Sequence, residues 1–182
     1  MPVESVVHLF RAERPAQSRG IPEVTSSLSL FATLRRYTLA VLGAAEQDVR
    51  LFLPLYPAIW RQGHDLVPVD FLRDVTIWLG TRELRFSAYT TPLPASDVAV
   101  YFLHCPALFH QDGIYTAGWD EHYRFAFLSV AALTCCQRMG WAPDILHVHD
   151  WHAALTPLYA RTLFAWDRLF AATRSVLTLH NL

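Results

Sequence analysis

The fold is decided by residues 143–155, Pro143-Asp144-Ile145-Leu146-His147-Val148-His149-Asp150-Trp151-His152-Ala153-Ala154-Leu155. Ile145–Val148 is a short apolar run, and polar side chains follow where it ends, as expected of a strand. We predict a helix from about Ala153 to Leu163 and a further buried strand at Ser175–Leu179. A strand, a helix and a strand at this spacing predict parallel strands in one sheet.

The remainder of the chain adds strands and one long helix. We predict four earlier strands, at Val49–Leu53, Val75–Leu79, Glu83–Ala88 and Val98–Leu103. Gly80-Thr81-Arg82 predicts a hairpin turn at the edge of the sheet, and Pro106–Asp120 is expected to be a loop. Helical periodicity then runs from near Glu121 to a stop at Gly140. The predicted fold class is α/β, with a doubly wound parallel sheet.

The two ends of the chain fit this scheme less well. Thr25–Ala45 has the apolar spacing of a helix, but no clear strand precedes it, although doubly wound domains open with one. At the other end, the sequence stops at Leu182, soon after the last predicted strand. Because a buried strand needs a following helix to cover one face of the sheet, we expect a truncated domain.

Composition narrows the class of protein. Hydrophobic residues make up 53% of the 182 residues and charged residues 17%, which excludes a disordered chain. The net charge is −1 and no basic stripe is present, so we expect no nucleic-acid partner. The apolar run Phe125–Cys136 is too short to cross a membrane, and Met1–Arg14 lacks the pattern of a secretory signal.

The three cysteines indicate a reducing compartment. Cys105, Cys135 and Cys136 cannot all pair within the chain, and the adjacent two lie in an apolar stretch. We expect buried reduced thiols and a cytoplasmic location. A redox role for Cys135 and Cys136 is the less favoured alternative.

The candidate site consists of polar side chains that follow two predicted strands. His149, Asp150 and His152 follow one strand, and His180 and Asn181 follow the next. In open α/β sheets ligands bind at the carboxyl ends of the strands, so these five groups converge there if the two strands are neighbours. Groups that donate or accept hydrogen bonds suit a polyhydroxylated ligand such as a sugar.

Each of these residues also has a purely structural interpretation. His147 alternates with apolar residues and is better explained as a hydrogen-bonded core histidine than as a ligand contact. Asp150 is equally suited to capping the following helix, a role that is compatible with ligand contact. Trp151 is expected to pack against neighbours, and His180-Asn181 has the alternative of being an ordinary solvated terminus.

A metal-dependent hydrolase is the main rival from another class. Histidine clusters at strand ends are common metal ligands, and metallo-β-lactamase-type hydrolases use H-x-H-x-D-H. The order here is H-x-H-D-x-H, which places Asp150 on a different side of the turn, so we expect no metal. The sequence also lacks G-x-G-x-x-G, G-x-x-x-x-G-K-S/T and G-x-S-x-G motifs, which argues against an independent nucleotide site and an α/β-hydrolase.

Several ordered motifs resemble those of bacterial glycogen synthases and plant starch synthases. Residues 143–155 are similar to the PD-x-x-H-x-HDWH-x-x-L signature, and Thr178–Leu182 is similar to the T-x-HNL stretch that follows it. Asp48–Pro57 is similar to the DVR-x-x-LP-x-Y segment. Tyr115 and the run Arg124-Phe125-Ala126-Phe127 resemble the acceptor-loop tyrosine and the RFA helix of that family.

The resemblance implies the Rossmann-like N-terminal half of a GT-B glycosyltransferase over residues 47–182, after a divergent segment at 1–46. Such an enzyme transfers glucose from its co-substrate ADP-glucose to an α-1,4-glucan, without a cofactor. By this resemblance His180 is the catalytic residue at the reacting centre. The implied substrate contacts are Asp150 and Asn181 in the sugar pocket, with His152 as a further candidate, and Tyr115 toward the acceptor.

The sequence departs from the family in two respects. The family's K-T/S-G-G-L-x-D-V donor loop is matched by a degenerate stretch whose candidate contacts are Ser18, Gly20 and Glu23. Gln17 replaces the lysine and Arg19 the first glycine, which hinders close approach of the backbone to a phosphate. The C-terminal domain with most nucleotide contacts is missing, so we expect an incomplete copy, with a non-catalytic glucan-binding module as the alternative.

Overall fold

Eight strands pair into one sheet in the part of the chain that the computed structural model describes, residues 7–10, 49–60, 65–93, 97–111 and 121–179. The strands are β1 Val7–Phe10, β2 Val49–Pro54, β3 Val67–Pro68, β4 Val75–Leu79, β5 Arg82–Pro92, β6 Ala99–His104, β7 Ile145–His149 and β8 Arg174–Thr178. The helices are α1 Pro57–Trp60, α2 Pro106–Phe109, α3 Glu121–Arg138, α4 Asp150–Ala153 and α5 Leu155–Arg161, with 3-10 turns at Asp70–Leu72 and Arg168–Phe170. The predicted α/β class is confirmed.

The strands β2, β6, β7 and β8 point the same way. The order across the sheet is β3-β5-β6-β2-β1-β7-β8, with β4 paired to β5. β2 is parallel to β6, and β7 is parallel to β8. β1 lies between these pairs and runs antiparallel to both β2 and β7. The carboxyl ends of β2, β6, β7 and β8 therefore lie along one edge of the sheet.

β1 corrects the expectation that no strand precedes residue 25. Val7–Phe10 pairs with β2 on one side and with β7 on the other, although it belongs to the segment we expected to be divergent. A run of four residues carries little periodic signal, and strand formation there depends on partners distant in sequence. The helix considered at Thr25–Ala45 lies outside the described residues.

The β4–β5 hairpin confirms the sequence prediction. Leu79 pairs with Arg82, which leaves a two-residue loop of Gly80 and Thr81. Gly80 has a φ of 59° and Thr81 does not have a positive φ, the arrangement of a type II′ turn with glycine at its first central position. Alternate side chains of β4 are buried, as expected for a strand with one face on the core.

The sheet separates two hydrophobic clusters. In β2 and β6 successive side chains alternate between them: Phe52 and Leu103 belong to the larger cluster, whereas Leu51 and Phe102 belong to the smaller one. Since successive strand residues point to opposite faces, the clusters lie on opposite sides of the sheet. α3 supplies much of the larger cluster, including Phe127. No helix in the described ranges is long and apolar enough to cross a membrane.

Two predicted elements, one helix and one loop, have wrong boundaries. The helix expected from Ala153 to Leu163 is divided into α4 and α5, which meet at Ala154. Pro157 has no N–H to donate to the carbonyl of Ala153, and the hydroxyl of Thr156 donates to that carbonyl instead at 2.8 Å. The loop predicted at Pro106–Asp120 begins with α2, and its residues 112–120 lie outside the described ranges.

The prediction that the last strand is buried is also wrong. β8 pairs with β7 along one edge, and its other edge has no partner among the described strands. Val176, Leu177 and Leu179 are 46%, 50% and 53% exposed. Apolar composition predicts the strand correctly, but burial depends on what lies against it.

All three cysteines are buried free thiols, as expected. Burial raises the pKa of Cys105, and the fully buried Cys135 and Cys136 on α3 have strongly raised pKa values for the same reason. The thiolate is the reactive form of cysteine, so burial and a raised pKa both lower the reactivity of these groups in the folded chain.

We expect an aromatic disulfide reagent at pH 8 to react slowly with the native protein and rapidly with all three thiols in concentrated urea. The reason is that folding both hides the sulfurs and holds them protonated. Absorbance of the released thiolate counts the reacted groups. Rapid reaction of two thiols without urea would contradict the burial and favour the redox alternative.

α3 ends in a Schellman motif, which confirms the predicted stop at Gly140. The N–H of Trp141 donates to the carbonyl of Cys136, and the N–H of Gly140 donates to that of Gln137, both at 3.0 Å. Gly140 has a φ of 59°, and a Cβ at this position would meet no atom within 4 Å. Backbone strain alone therefore opposes a side chain at this position.

Gly140→Ala is expected to lower the free energy of unfolding by about 1 kcal/mol, because alanine disfavours the left-handed conformation. Gly140→Asn is the matched control and is expected to cost less, since asparagine tolerates that conformation. Urea unfolding followed by circular dichroism measures both. Equal losses for the two variants would contradict the left-handed helix end.

Candidate functional site

The candidate site begins where β7 ends. β7 is buried from Leu146 to His149, and α4 starts directly at Asp150, with no connecting residue. Asp150 has a φ of 52°. Left-handed backbone costs a non-glycine residue roughly 1–2 kcal/mol, and such strained residues cluster at functional sites. Backbone geometry therefore singles out Asp150 independently of its residue type.

Four polar side chains are buried around this turn, namely His147, His149, Asp150 and His152. The rings of His147 and His149 lie 4.4 Å apart between centroids. His149 holds the cap position of α4, and Asp150 is the first residue of that helix. Side chains buried in this way have fixed positions, which a site that recognises a particular arrangement of hydroxyls requires.

Aromatic contacts from α3 support the turn. The ring of Phe125 lies edge-to-face with His152 at 4.5 Å and with Trp151 at 4.7 Å. The rings of Trp151 and His152 are 4.2 Å apart. Trp151 therefore packs as predicted, yet it is 51% exposed, so half of its surface remains open at the rim of the site.

A buried cation lies next to Phe125 along α3. Arg124 is 1% exposed, and its guanidinium lies 5.8–5.9 Å from the ring centres of Tyr56, Phe109 and Phe125. A guanidinium remains charged in proteins, so this positive charge is held against the aromatic support of the turn. The sequence motif contains Arg124 but predicts no role for it, because the burial of a single arginine cannot be read from neighbouring residues.

β8 lies beside β7, which meets the condition on which the predicted convergence of polar groups depends. The two strands are parallel, with Thr178 opposite His149. Nε2 of His147 and Oγ1 of Thr178 are 2.7 Å apart, which confirms His147 as a hydrogen-bonded core histidine. The structure thus brings the Asp150 turn to the end of the strand that precedes His180.

The other predicted site residues lie outside the described part of the chain. They are His180, Asn181, Tyr115, Ser18, Gly20 and Glu23. Within the described ranges, no group of three or more His, Cys, Asp or Glu side chains is arranged to hold a metal ion.

The sheet topology and the polar strand ends match a known fold. The catalytic domain of starch synthase IV from Arabidopsis thaliana, solved bound to ADP and acarbose, superposes with a TM-score of 0.62 and 26% sequence identity. The match covers 71% of this chain and 26% of that chain. The fold is the Rossmann-like N-terminal half of a GT-B glycosyltransferase.

Sequence comparisons agree with the fold. The model of the starch synthase catalytic domain matches residues 39–182, and the chain belongs to that family. Glycogen synthases of Chlorobium phaeobacteroides and Aeromonas salmonicida are 33% and 32% identical to it, over 84% and 99% of this chain. The matches cover 33% and 35% of those proteins, so this chain spans about a third of their length.

Thr178→Val is expected to lower the free energy of unfolding by about 1 kcal/mol, because the buried imidazole of His147 loses its hydroxyl partner while the side chain keeps its shape. Thr178→Ser keeps the hydroxyl and serves as the control. Thermal and urea unfolding measure the difference. A valine variant as stable as the serine variant would show that this hydrogen bond does not join the two strands.

Proposed function

We propose that this chain is the acceptor-side part of a glycosyltransferase that moves glucose from ADP-glucose to an α-1,4-glucan. The observation that carries the proposal is the parallel β7–β8 pair, which places the buried Asp150 turn beside the strand leading to His180. The two bacterial relatives that match most of this chain are glycogen synthases. The structurally similar starch synthase IV was solved with ADP and acarbose bound.

The proposed roles follow from the chemistry of each group. The Asp150 carboxylate accepts hydrogen bonds from sugar hydroxyls, and the imidazole of His152 donates or accepts according to its tautomer. His180 and Asn181 hydrogen-bond the transferred glucose, with His180 at the reacting centre. Tyr115 faces the acceptor. Groups held in fixed positions stabilise developing oxocarbenium-like charge without having to reorganise during the reaction.

The proposed donor side includes residues outside this sequence. The degenerate stretch with Ser18, Gly20 and Glu23 is the proposed remnant of a donor loop, while residues 47–182 form the proposed catalytic-domain part. A separate nucleotide-binding domain is the proposed partner, since this chain spans about a third of its relatives. We place the protein in the cytoplasm, where ADP-glucose and glucan occur together with reduced thiols.

The test of the function supplies the chain with ADP-glucose and glycogen, with and without the separately produced C-terminal domain of the Aeromonas salmonicida relative. Incorporation of labelled glucose on addition of that domain supports the proposal. Binding of glycogen without transfer in either mixture identifies a non-catalytic glucan-binding module instead. If the chain neither binds glycogen nor transfers glucose, both functions are contradicted.

Asp150→Asn is expected to reduce the complemented transfer rate by about 100-fold, because the amide presents neither the charge nor both acceptor oxygens of the carboxylate. Asparagine tolerates the left-handed backbone, so the fold is retained. Asp144→Asn, at the amino end of the same strand, is the matched control and keeps the rate. Equal rates for the two variants would remove Asp150 from the proposed site.

A further inference from the structure

A second cluster of aromatic and imidazole rings lies away from the Asp150 turn. The ring of Trp60 stacks on His104 at 5.8 Å with an interplanar angle of 26°, and it meets Tyr89 edge-to-face at 5.3 Å. Tyr89 contacts His104 at 5.8 Å, and His104 lies 5.4 Å from His110. Each ring in this Trp60 cluster contacts at least one other ring, so the four side chains hold one another in place.

The Trp60 cluster is open to solvent even though its rings are in contact. Trp60 is 52% exposed, His110 is exposed, and Tyr89 and His104 are half-buried. Two ring contacts hold the indole in place, although about half of its surface is exposed to solvent. Ligand binding therefore costs less side-chain entropy here than at a mobile surface tryptophan. The cluster thus presents a preformed aromatic surface.

The cluster lies at the same edge of the sheet as the Asp150 turn. His104 is the last residue of β6, and Trp60 ends α1, which follows the carboxyl end of β2. Two strands, β2 and β1, separate β6 from β7. At the usual strand spacing, His104 is therefore roughly 14 Å across the sheet from the end of β7.

The His104 imidazole supplies hydrogen bonds without charge. Burial, and secondarily the nearby His110, lower the pKa of His104 below its usual value. At neutral pH the His104 ring is then uncharged, with one nitrogen donating and the other accepting. A neutral pair of donor and acceptor beside an aromatic face suits hydroxyl groups better than it suits an ion.

We propose that Trp60, Tyr89, His104 and His110 form an auxiliary subsite that binds a glucosyl unit of an α-glucan. The C–H face of a pyranose carries slight positive charge and packs on the negative face of the indole. The hydroxyls lie around the edge of the pyranose ring, where imidazoles beside the indole donate or accept hydrogen bonds. The choice of glucan as ligand rests on the proposed function, whereas the stacking site itself rests on the ring geometry.

The experiment measures maltoheptaose binding to the full chain by isothermal titration and by affinity electrophoresis in glycogen gels. Trp60→Ala is expected to weaken binding roughly three- to tenfold, the usual range for loss of one aromatic contact. Trp60→Phe keeps a ring and is expected to lose less. Trp166→Ala is the matched control, since Trp166 is 74% exposed in the segment between α5 and β8.

The outcomes separate this subsite from the proposed function. Equal affinity of Trp60→Ala and Trp166→Ala, with binding by the wild-type chain intact, overturns the subsite and leaves the proposed function standing. Absence of maltoheptaose binding by the wild-type chain overturns the ligand class in both proposals. His110→Ala changes an exposed side chain, so it is expected to retain the fold even if Trp60→Ala unfolds. The expected loss of affinity for His110→Ala is about two- to threefold. Unchanged affinity of this variant counts against the subsite.

Discussion

The parallel pairing of β7 with β8 is the constraint on which the site depends. The hydrogen bond between His147 and Thr178 joins the two strands near their carboxyl ends. A shift of one residue would move every side chain of one strand to the opposite face. The left-handed Asp150 then directs the chain into α4 immediately after the strand. Strand register and one strained residue together set where the polar groups lie.

α3 links this edge to the rest of the fold. Its middle fills the larger hydrophobic cluster, and its first turn supports the site through Phe125, with the buried charge of Arg124 alongside. A long helix with a well-formed end holds its first turn in a defined position. The same helix therefore packs into the core through its middle and against the Asp150 turn near its beginning.

The sequence predicted the local features well and the long-range ones poorly. The β7 turn, the hairpin at Gly80 and the helix end at Gly140 are set by residues close in the chain, where turn chemistry and periodicity apply. β1 and the exposure of β8 depend on which strands lie beside them. The Trp60 cluster joins β5, β6 and the segments after β2 and α2, and no local pattern records such a meeting. The parallel direction of β7 and β8 was predicted from the strand–helix–strand spacing, whereas their adjacency was a condition of the predicted site.

The outer edge of β8 has a practical consequence for handling the protein. Among the described strands none pairs with this edge, which Val176 and Leu177 flank with exposed apolar side chains, and an edge of this kind is a template onto which another extended segment can add. We expect self-association through this edge to rise with protein concentration and to compete with ligand binding. Dilute samples, with light scattering to monitor monodispersity, are the appropriate starting material for any binding measurement.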